Sequence, residues 1–561
     1  MQVARASFPR GNLAMRIRDA LGEVYSDSRF VAVFARSGRP AMSPGQLMMV
    51  TVLQFTENLT DRQAADAARD RVSWKYALGL ELDDPGFDAS VLSEFRSRLV
   101  THDQTSAALD LLLDKLFALG LIAAGGKQRT DSTHVLARIR VLNRLELAGE
   151  TVRAALEALA VAAPAWLTRQ IGADWQTRYE ARVDGWRLPA SEAKRTALAV
   201  RYGADGYALL EAIHGGVDAG EVPGWLAELP AVEALRRIWI QQYYREVGID
   251  GREVITRREA SVHGLPPGLF RLISPYDLDA RYSVKRDTRW AGYKVHVSER
   301  CDAGFDEDGR DLPHVITNVT TTQAAVPDQA MLESIHRQLA GRLGGGPEGK
   351  GLLPARHLLD SGYPSARLVV SSPADFGVEL IAPLIVDHSA QAKAGARYDR
   401  SAFTIDWDNQ RAICPQGKAS ASWNPSRQRA ADAVVIAFAA TDCGPCPVRN
   451  LCTSSKRGRR RLSVPPRDIH DAQTRARANH NSEAFKTEYA ARAGVEATIH
   501  QAVAVTGTRQ ARYRGIHKTR LEHTIAAAAI NLVRLDAYLT GKPLDRGRTS
   551  HLARLDFMAA A

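Results

Sequence analysis

Two apolar segments, each carrying an aspartate, constrain the fold of this chain more than any other feature. Residues 127–139, KQRTDSTHVLARI, have the alternating, β-branched character of a strand that bears Asp131. The segment ARHLLDSGY is typical of a short apolar strand that ends on Asp360. Because carboxylates at one edge of a sheet can come from distant parts of a chain, the two aspartates are candidates for a single site. Their mutual repulsion is unfavourable, so a shared site needs cations that neutralise it.

The order of the remaining segments predicts an α/β fold. A long stretch with helical periodicity, residues 142–264, follows the first strand, and we interpret it as an α-helical insertion. After it, the segments follow the order strand, strand, helix, strand, helix, strand. Besides the strand that ends on Asp360, we expect strands at residues 290–298, 315–322 and 378–385. This alternation of strands and helices is typical of an α/β domain.

Residues 1–122 are predicted to be helical. Ser43 followed by Pro44 is a helix start, and Thr60 with Gln63 has the pattern of a capping box. The two helices that these signals begin are joined by the short turn ENLT, so together they resemble a helix-turn-helix, which favours a DNA-binding domain. The alternative is a small helical bundle that makes no contact with DNA.

The charge of the chain indicates a polyanionic partner. The 561 residues carry a formal net charge of +11, and the sequence pI is about 9.4. Nucleic acid is the first candidate for such a partner, although an arginine-rich protein can also be basic and bind nothing charged. No targeting segment is visible, and apolar runs such as TIAAAAINLVRL are too short to span a bilayer. We therefore expect a soluble protein of the bacterial cytoplasm with no membrane partner.

A third carboxylate lies on a predicted helix near the end of the chain. In TEYAARAGVEATIHQAV, the side chains of Tyr489, Arg492 and Glu496 share one helical face. Mg²⁺ prefers carboxylate and water oxygens, and two such ions about 3.5–4 Å apart can activate an attacking oxygen and stabilise a leaving oxygen at phosphorus. A third carboxylate on a rigid element would complete such a site. The alternative is an exposed amphipathic helix with a solvated pair of arginine and glutamate.

Four motifs resemble those of a known family. They are Thr-Asp-Ser-Thr-His around Asp131, the block DLDARYSVKRDTRWAGYKVHVSE, LLDSGYPS around Asp360, and YAARAGVE, which ends on Glu496. Together they resemble the DDE-type transposases of insertion sequences, and Tyr-x2-Arg-x3-Glu is similar to the signature of the IS-four-like superfamily. The block that begins SPGQLMM and ends FR also resembles the N-terminal domain of these transposases.

The resemblance implies a fold, a chemistry and partners. The fold is an RNase H-like mixed sheet with Asp131 on its first strand, Asp360 after its fourth and Glu496 on a later helix. The three carboxylates would bind two Mg²⁺ or Mn²⁺ ions, and Tyr489 and Arg492 would position the DNA end. The activity would be metal-dependent DNA cleavage followed by strand transfer. The partners would be double-stranded DNA, meaning the terminal inverted repeats of the element and the target, and a second copy of the chain in a paired-end complex.

The chain departs from the family signature at Val503, where the signature has a lysine. A later run of basic residues is the candidate for the same role: Arg509, Arg512, Arg514, Lys518 and Arg520. Two other functions remain open. One is an RNase H-like metal-dependent nuclease without strand transfer, and the other is a catalytically inactive DNA-binding regulator derived from a transposase.

Four of the five cysteines fall within one segment, at Cys414, Cys443, Cys446 and Cys452. Four thiolates suit a closed tetrahedral Zn²⁺ site, which would fold a segment too small to build a core of its own. The alternatives are a redox Cys-x2-Cys pair or unpaired buried thiols. Cys301 is isolated and is expected to take no part.

A dense run of positive charge follows the last of these cysteines, at Lys456, Arg457, Arg459, Arg460 and Arg461. Because charges this close repel one another, we expect them to contact DNA without sequence specificity, the alternative being a solvated surface loop. The stretch ARYRGIHKTR, with Arg512, Arg514 and Lys518, has the same interpretation. Trp290, Tyr293 and His134 are interpreted as structural.

These expectations divide the chain into six parts. In chain order they are a helical N-terminal DNA-binding domain (1–122), the first part of the RNase H-like catalytic core (123–141 and 265–386), the α-helical insertion (142–264), a basic insertion with four cysteines (387–466), the C-terminal helices of the core with Glu496 (467–540), and a tail (541–561).

Overall fold

A six-stranded mixed sheet is the central element of the fold. The computed structural model describes residues 2–34, 42–248, 251, 253–285, 287–302, 304–305, 309–345, 350–384, 389–428 and 431–541. Apart from Gly541, the predicted tail at 541–561 lies outside these ranges. Within them, no helix combines the length and the apolar character that crossing a membrane requires.

Within the described ranges, seven α-helices precede the first strand, in the region that the sequence predicted to be helical. They are α1 (Gln2–Ser7), α2 (Leu13–Leu21), α3 (Pro44–Thr56), α4 (Asp61–Asp70), α5 (Val72–Leu78), α6 (Ser90–Thr101) and α7 (Ala107–Ala118). The Ser43 hydroxyl caps α3 by accepting the backbone N–H of Gln46, and Thr60 and Gln63 form the predicted capping box of α4. Because α3 is largely apolar on all sides, it is buried at Gly45 and from Leu47 to Phe55 and forms the centre of this helical region.

The first strand leads into the predicted helical insertion. After β1 (Lys127–Leu136) come α8 (Arg144–Ala162), α9 (Pro164–Gln170), α10 (Ala173–Tyr179), α11 (Glu192–Asp218) and α12 (Pro230–Gln242), and then a hairpin of β2 (Tyr243–Val247) and β3 (Glu253–Arg257). The sequence pattern did not predict this hairpin. The insertion has an apolar core of its own, in which Trp239 and Tyr243 are buried.

The central sheet follows the predicted order of strands with one addition. Its further elements are β4 (Arg281–Lys285), β5 (Thr288–Arg300), β6 (Ile316–Gln323), α13 (Leu332–Gly341), β7 (Arg356–Leu359), α14 (Ala366–Phe376) and β8 (Glu379–Ile381). The short strand β4 was not predicted, and it pairs with the first residues of β5. The other five strands lie side by side in the order β6, β5, β1, β7, β8. The pairs β6–β5 and β5–β1 are antiparallel, and the pairs β1–β7 and β7–β8 are parallel. This mixed sheet is consistent with an RNase H-like core.

The cysteine-bearing segment contains more strand than its polar sequence indicated. Its elements are α15 (Ala390–Lys393), β9 (Thr404–Asp406), β10 (Arg411–Ile413), β11 (Ser422–Gln428), β12 (Ala431–Ala437), α16 (Ala440–Cys443), α17 (Arg449–Cys452) and β13 (Arg461–Val464). β11, β12 and β13 form a three-stranded antiparallel sheet around a small apolar core that includes Phe403 and Phe438. Four helices follow: α18 (Arg467–His480), α19 (Glu483–Ala490), α20 (Gly494–Thr506) and α21 (Ile516–Leu539).

The last helix, α21, joins the N-terminal helices to the central sheet in one apolar core. Its residues 525–530, IAAAAI, are fully or almost fully buried, and the small alanine side chains allow close packing. The Asn531 side chain bonds to both the backbone N–H and the carbonyl of Ile316 on β6, at 2.8 and 2.9 Å. On the other side, Arg16 of α2 forms a two-pronged ion pair with Asp536, at 2.6 and 2.9 Å.

A buried glutamate on α21 makes the stability of the fold depend on pH. Burial raises the pKa of Glu522 to about 8, although its carboxylate accepts the backbone N–H of Arg512. A carboxyl whose pKa is raised on folding stabilises the folded state at low pH, and this contribution is lost as the pH rises from the usual glutamate range through 8. At pH 8, Glu522→Gln should therefore have a free energy of unfolding higher than that of the unmodified protein by on the order of a few kcal/mol, measured by urea denaturation. At pH 4 the two proteins should differ little.

The control is Glu221→Gln, because Glu221 is exposed in a loop. This variant should keep the pH dependence of the unmodified protein. If the stability of Glu522→Gln fell with rising pH as much as that of the unmodified protein, Glu522 would not be the source of the pH dependence.

Candidate active site

Asp131 and Asp360 occupy adjacent positions on two neighbouring parallel strands. The register of β1 and β7 pairs Thr130 with Leu359, so the next residue of each strand is an aspartate. The Asp131 carboxylate accepts the backbone N–H of Ser132 at 2.7 Å, and that of Asp360 accepts the backbone N–H of Gly362 at 2.9 Å. The parallel register of β1 and β7 therefore places the two carboxylates side by side.

The Tyr-Arg-Glu segment lies against this edge. Tyr489 is near the end of α19, Arg492 lies in a short 3₁₀ turn, and Glu496 lies in the first turn of α20. The sequence predicted one continuous helix here, and the structure divides it at the 3₁₀ turn. The Arg492 guanidinium donates to Glu496 at 2.8 Å and also contacts Asp131. All three residues line a cavity of about 580 Å³ together with Asp131 and Asp360.

Burial shapes the electrostatics of this cavity. The Asp131 side chain is largely withdrawn from solvent, which raises the pKa of its carboxyl to about 6. The Arg492 guanidinium opposes that shift and the neighbouring Asp360 adds to it. Burial also raises the pKa of Tyr489, whose ring stacks on that of Phe485 with a centroid separation of 5.4 Å. In contrast, the Glu496 side chain is 64% exposed, so it is accessible to a ligand in the cavity.

The four clustered cysteines line a second cavity, between β10, α16 and α17. Arg460 borders this cavity, donates to the carbonyl of Cys452 at 2.7 Å and lies over the Phe403 ring. Cys301 lies elsewhere in the fold, and burial raises the pKa of its thiol to about 11. Across the described ranges, no three His, Cys, Asp or Glu side chains are spaced to hold a metal ion as they stand. The cysteines are therefore brought near one another without forming a complete metal site.

The basic residues proposed to contact DNA differ in their surroundings. Lys456, Arg457 and Arg461 are exposed, whereas Arg459 and Arg460 are half-buried. The contacts of Arg460 with the cysteine segment indicate a structural role.

The second basic stretch is divided in the same way. Arg512 donates to the carbonyl of Leu59 at 2.9 Å and lies over the Phe55 ring, 4.1 Å from its centroid, so its guanidinium fastens the turn between α3 and α4. Arg514 and Lys518 are exposed at the start of α21. These two residues are therefore better placed than Arg512 to meet a DNA backbone.

Comparison with known families decides the identity of the chain. The model of a family described as "Transposase DDE domain" matches residues 413–536, which include the Tyr-Arg-Glu segment and all four clustered cysteines. The model of a second family, "Transposase domain (DUF772)", matches residues 2–98, the greater part of the N-terminal helices. The chain is a DDE-type insertion-sequence transposase. No curated protein and no solved structure matches it.

In this transposase, a buried carboxylate holds α20 against the sheet. Glu299 of β5 is fully buried and accepts hydrogen bonds from Arg129 at 2.6 Å, Thr498 at 2.5 Å and Arg534 at 2.7 Å. Thr498 lies on α20, two residues after Glu496, and Arg534 lies on α21. The Arg129 guanidinium also donates to the carbonyl of Ala491, at 2.6 Å. The position of α20 relative to β1 therefore depends on this ion cluster.

Behind the two aspartates lies a set of polar side chains that sequence reasoning missed. Asp328 accepts hydrogen bonds from Lys294 at 2.7 Å and from the Ser132 hydroxyl at 3.0 Å. Tyr363, which is fully buried just after the second aspartate, bonds to His296 at 2.7 Å. Lys294, His296 and Tyr363 stand inside the motifs that carried the family resemblance, which is the signal that could have singled them out. Asp328 stands in no such motif.

Gly494 at the start of α20 tests the ion cluster. A Cβ at this position would overlap a terminal nitrogen of Arg129, so an alanine must displace the guanidinium or the helix. We expect Gly494→Ala to lower the free energy of unfolding by about 1–3 kcal/mol. Because α20 carries Glu496, we also expect DNA cleavage to fall. Urea denaturation and a cleavage assay measure the two effects.

Gly215→Ala is the matched control. Gly215 is exposed on α11, and no heavy atom lies within 4 Å of a Cβ built there. Alanine should stabilise this helix by about 0.5–1 kcal/mol and leave cleavage unchanged. Equal effects of the two substitutions would show that the contact with Arg129 is unimportant.

Proposed function

We propose that Asp131, Asp360 and Glu496 are the catalytic carboxylates of this DNA transposase and that they hold two Mg²⁺ or Mn²⁺ ions. The observation that carries the proposal is that three carboxylates, distant in sequence and on different elements, line one cavity. DDE transposases generally use divalent metal ions. Carboxylates are the donors that Mg²⁺ prefers, and such ions would activate an attacking oxygen and stabilise a leaving oxygen at phosphorus.

The position of Arg492 supports the fit of this site to cations. Its guanidinium lies between Asp131 and Glu496, so the two carboxylates already share one positive charge. Ions bound to the carboxylates would require Arg492 to turn away from them. From the rim of the same cavity it could then bind a DNA phosphate, for which a guanidinium has matching geometry.

The proposed reaction has two steps on the same strand. Water attacks the phosphorus at the end of the element, and the 3′ oxygen leaves as a free hydroxyl. That hydroxyl then attacks a phosphorus of the target DNA and displaces its 3′ oxygen. Tyr489, held by its stacking on Phe485, would contact the DNA end during both steps.

Several finer assignments belong to the same proposal. We assign the protein to the IS-four-like superfamily on its Tyr-x2-Arg-x3-Glu segment. We place it in the bacterial cytoplasm, acting on terminal inverted repeats and target DNA as a homodimer, because two ends must be cleaved together. The division into six parts given above stays a prediction. For nonspecific DNA contact we favour the exposed residues Lys456, Arg457, Arg461, Arg514 and Lys518.

Asp360→Asn tests the catalytic assignment. The substitution keeps the size of the side chain but removes the charge that binds a metal ion, so we expect cleavage of a duplex bearing the element end to fall to background. Binding of the same duplex, measured by gel shift, should be largely unchanged. Asp375→Asn, at an exposed position on α14, is the control and should cleave normally. Undiminished cleavage by Asp360→Asn would overturn the assignment.

The same reactions, run with a target plasmid, separate the proposed function from its alternatives. Products in which the element end is joined to the plasmid are expected. Cleavage without joined products would favour a nuclease without strand transfer. Binding without cleavage by the unmodified protein would favour an inactive regulator.

We also propose that Cys414, Cys443, Cys446 and Cys452 bind a structural Zn²⁺ ion. All four line one cavity in a segment whose apolar core is small, which is the setting in which a metal adds stability. Their thiolates are the donors that Zn²⁺ favours in closed sites. Binding of the ion would require the four sulfurs to move to a common centre, because they form no metal site as they stand.

Metal content tests the zinc proposal without a readout of activity. Protein purified without chelators should hold about one zinc ion per chain, measured by mass spectrometry. Cys446→Ser should lose that zinc and lower the melting temperature, whereas Cys301→Ser should keep it. A zinc-free protein with four reactive thiols would contradict the proposal, as would full zinc retention in Cys446→Ser.

A further inference from the structure

An exposed lysine stands at the edge of the candidate active site. Lys285 is the last residue of β4, at the turn into β5, where it pairs with Thr288. It lines the same cavity as Asp131, Asp360 and Glu496, and its side chain is 53% exposed. Lys285 lies in the block DLDARYSVKRDTRWAGYKVHVSE, but sequence reasoning did not single it out, because its place beside the carboxylates depends on the unpredicted strand β4.

Among the residues that the structure describes, two other cations line the cavity, and carboxylates engage both. Arg492 bridges Asp131 and Glu496, and its side chain is 15% exposed. Lys294 donates to Asp328 at 2.7 Å and is 12% exposed. Lys285 approaches the same Asp328 at only 3.9 Å, which is longer than a hydrogen bond. The N–H donors of the Lys285 ammonium are therefore available to a ligand, whereas those of Arg492 and Lys294 already bind carboxylates.

The charge of the cavity makes an anionic ligand at Lys285 favourable. Asp131, Asp287, Asp360 and Glu496 all line the cavity, so a DNA backbone that approaches them is repelled unless cations compensate. Lys285 lines the same cavity, so its positive charge can offset part of this repulsion. A lysine acts as a point charge for phosphate and tolerates several approach directions, which suits backbone contact without sequence specificity.

We propose that Lys285 binds a backbone phosphate of the DNA strand that lies against the three carboxylates. It is a positioning residue that holds the strand beside the reacting phosphorus. This inference rests on the proposed function, because it takes the cavity to be the place where DNA is cleaved. The ligand class is a phosphodiester of double-stranded DNA.

The test combines variants of the full chain with salt titration. The probe is a duplex with the terminal inverted repeat of the element and its flanking DNA. We expect Lys285→Gln to reduce the slope of log binding constant against log salt by about 1, as the loss of one phosphate contact requires. Single-turnover cleavage at saturating duplex should fall about 10-fold, and Lys285→Arg should restore both. Lys194→Gln, at an exposed position on α11, is the control and should change neither.

Neutral methylphosphonates placed singly in the duplex identify the contact. At one position next to the cleavage site, a methylphosphonate should weaken DNA binding by the unmodified protein. It should not weaken binding by Lys285→Gln, because that variant already lacks the contact between Lys285 and the phosphate. An unchanged salt slope, with only a lower melting temperature, would show that Lys285 merely supports Asp328 and would overturn the proposal.

Asp360→Asn, run in parallel, separates this result from the proposed function. Cleavage by that variant would remove the catalytic assignment. An unchanged salt slope in Lys285→Gln, together with an inactive Asp360→Asn, would overturn only the proposal that Lys285 binds a phosphate.

Discussion

A single buried carboxylate, Glu299, holds the parts of the candidate active site together. A fully buried charge is tolerated only when its partners neutralise it and satisfy its oxygens, and removing one partner of such a pair costs about 3–5 kcal/mol. Here the partners are Arg129 on β1, Thr498 on α20 and Arg534 on α21. These elements are distant in sequence. Because Glu299 needs all of these partners, it holds α20, which carries Glu496, against β1, which carries Asp131.

The helix α21 extends that constraint to the N-terminal part of the chain. It packs on β6 through Asn531 and is joined to α2 by the ion pair of Arg16 and Asp536. The regions matched by the two transposase families, residues 2–98 and 413–536, therefore meet in one apolar core around this helix. Through α21, the N-terminal helices therefore pack against the sheet that carries Asp131. The helical insertion, in contrast, has a core of its own.

Much of the candidate site could be predicted from local patterns. The alternation around Asp131 and the apolar run before Asp360 predicted two strands, and parallel pairing brings their ends together. The spacing of Arg492 and Glu496 predicted a shared helical face, and their ion pair is present although a 3₁₀ turn interrupts the helix. Local patterns did not predict the surroundings of Arg512. Its charge indicated DNA, but its guanidinium packs on an aromatic ring of the N-terminal helices.

The sequence by itself determined the fold class and the chain order of the core strands, because hydrophobic periodicity is a local property. The three candidate carboxylates were selected on motifs that resemble a known family. Only the tertiary structure decided which groups surround those carboxylates. Lys285 enters the cavity through a strand too short to carry a periodic signal, and Asp328 meets Ser132 and Lys294 across elements far apart in the chain. The partner of a polar side chain is set by which elements pack together, and no local pattern records that packing.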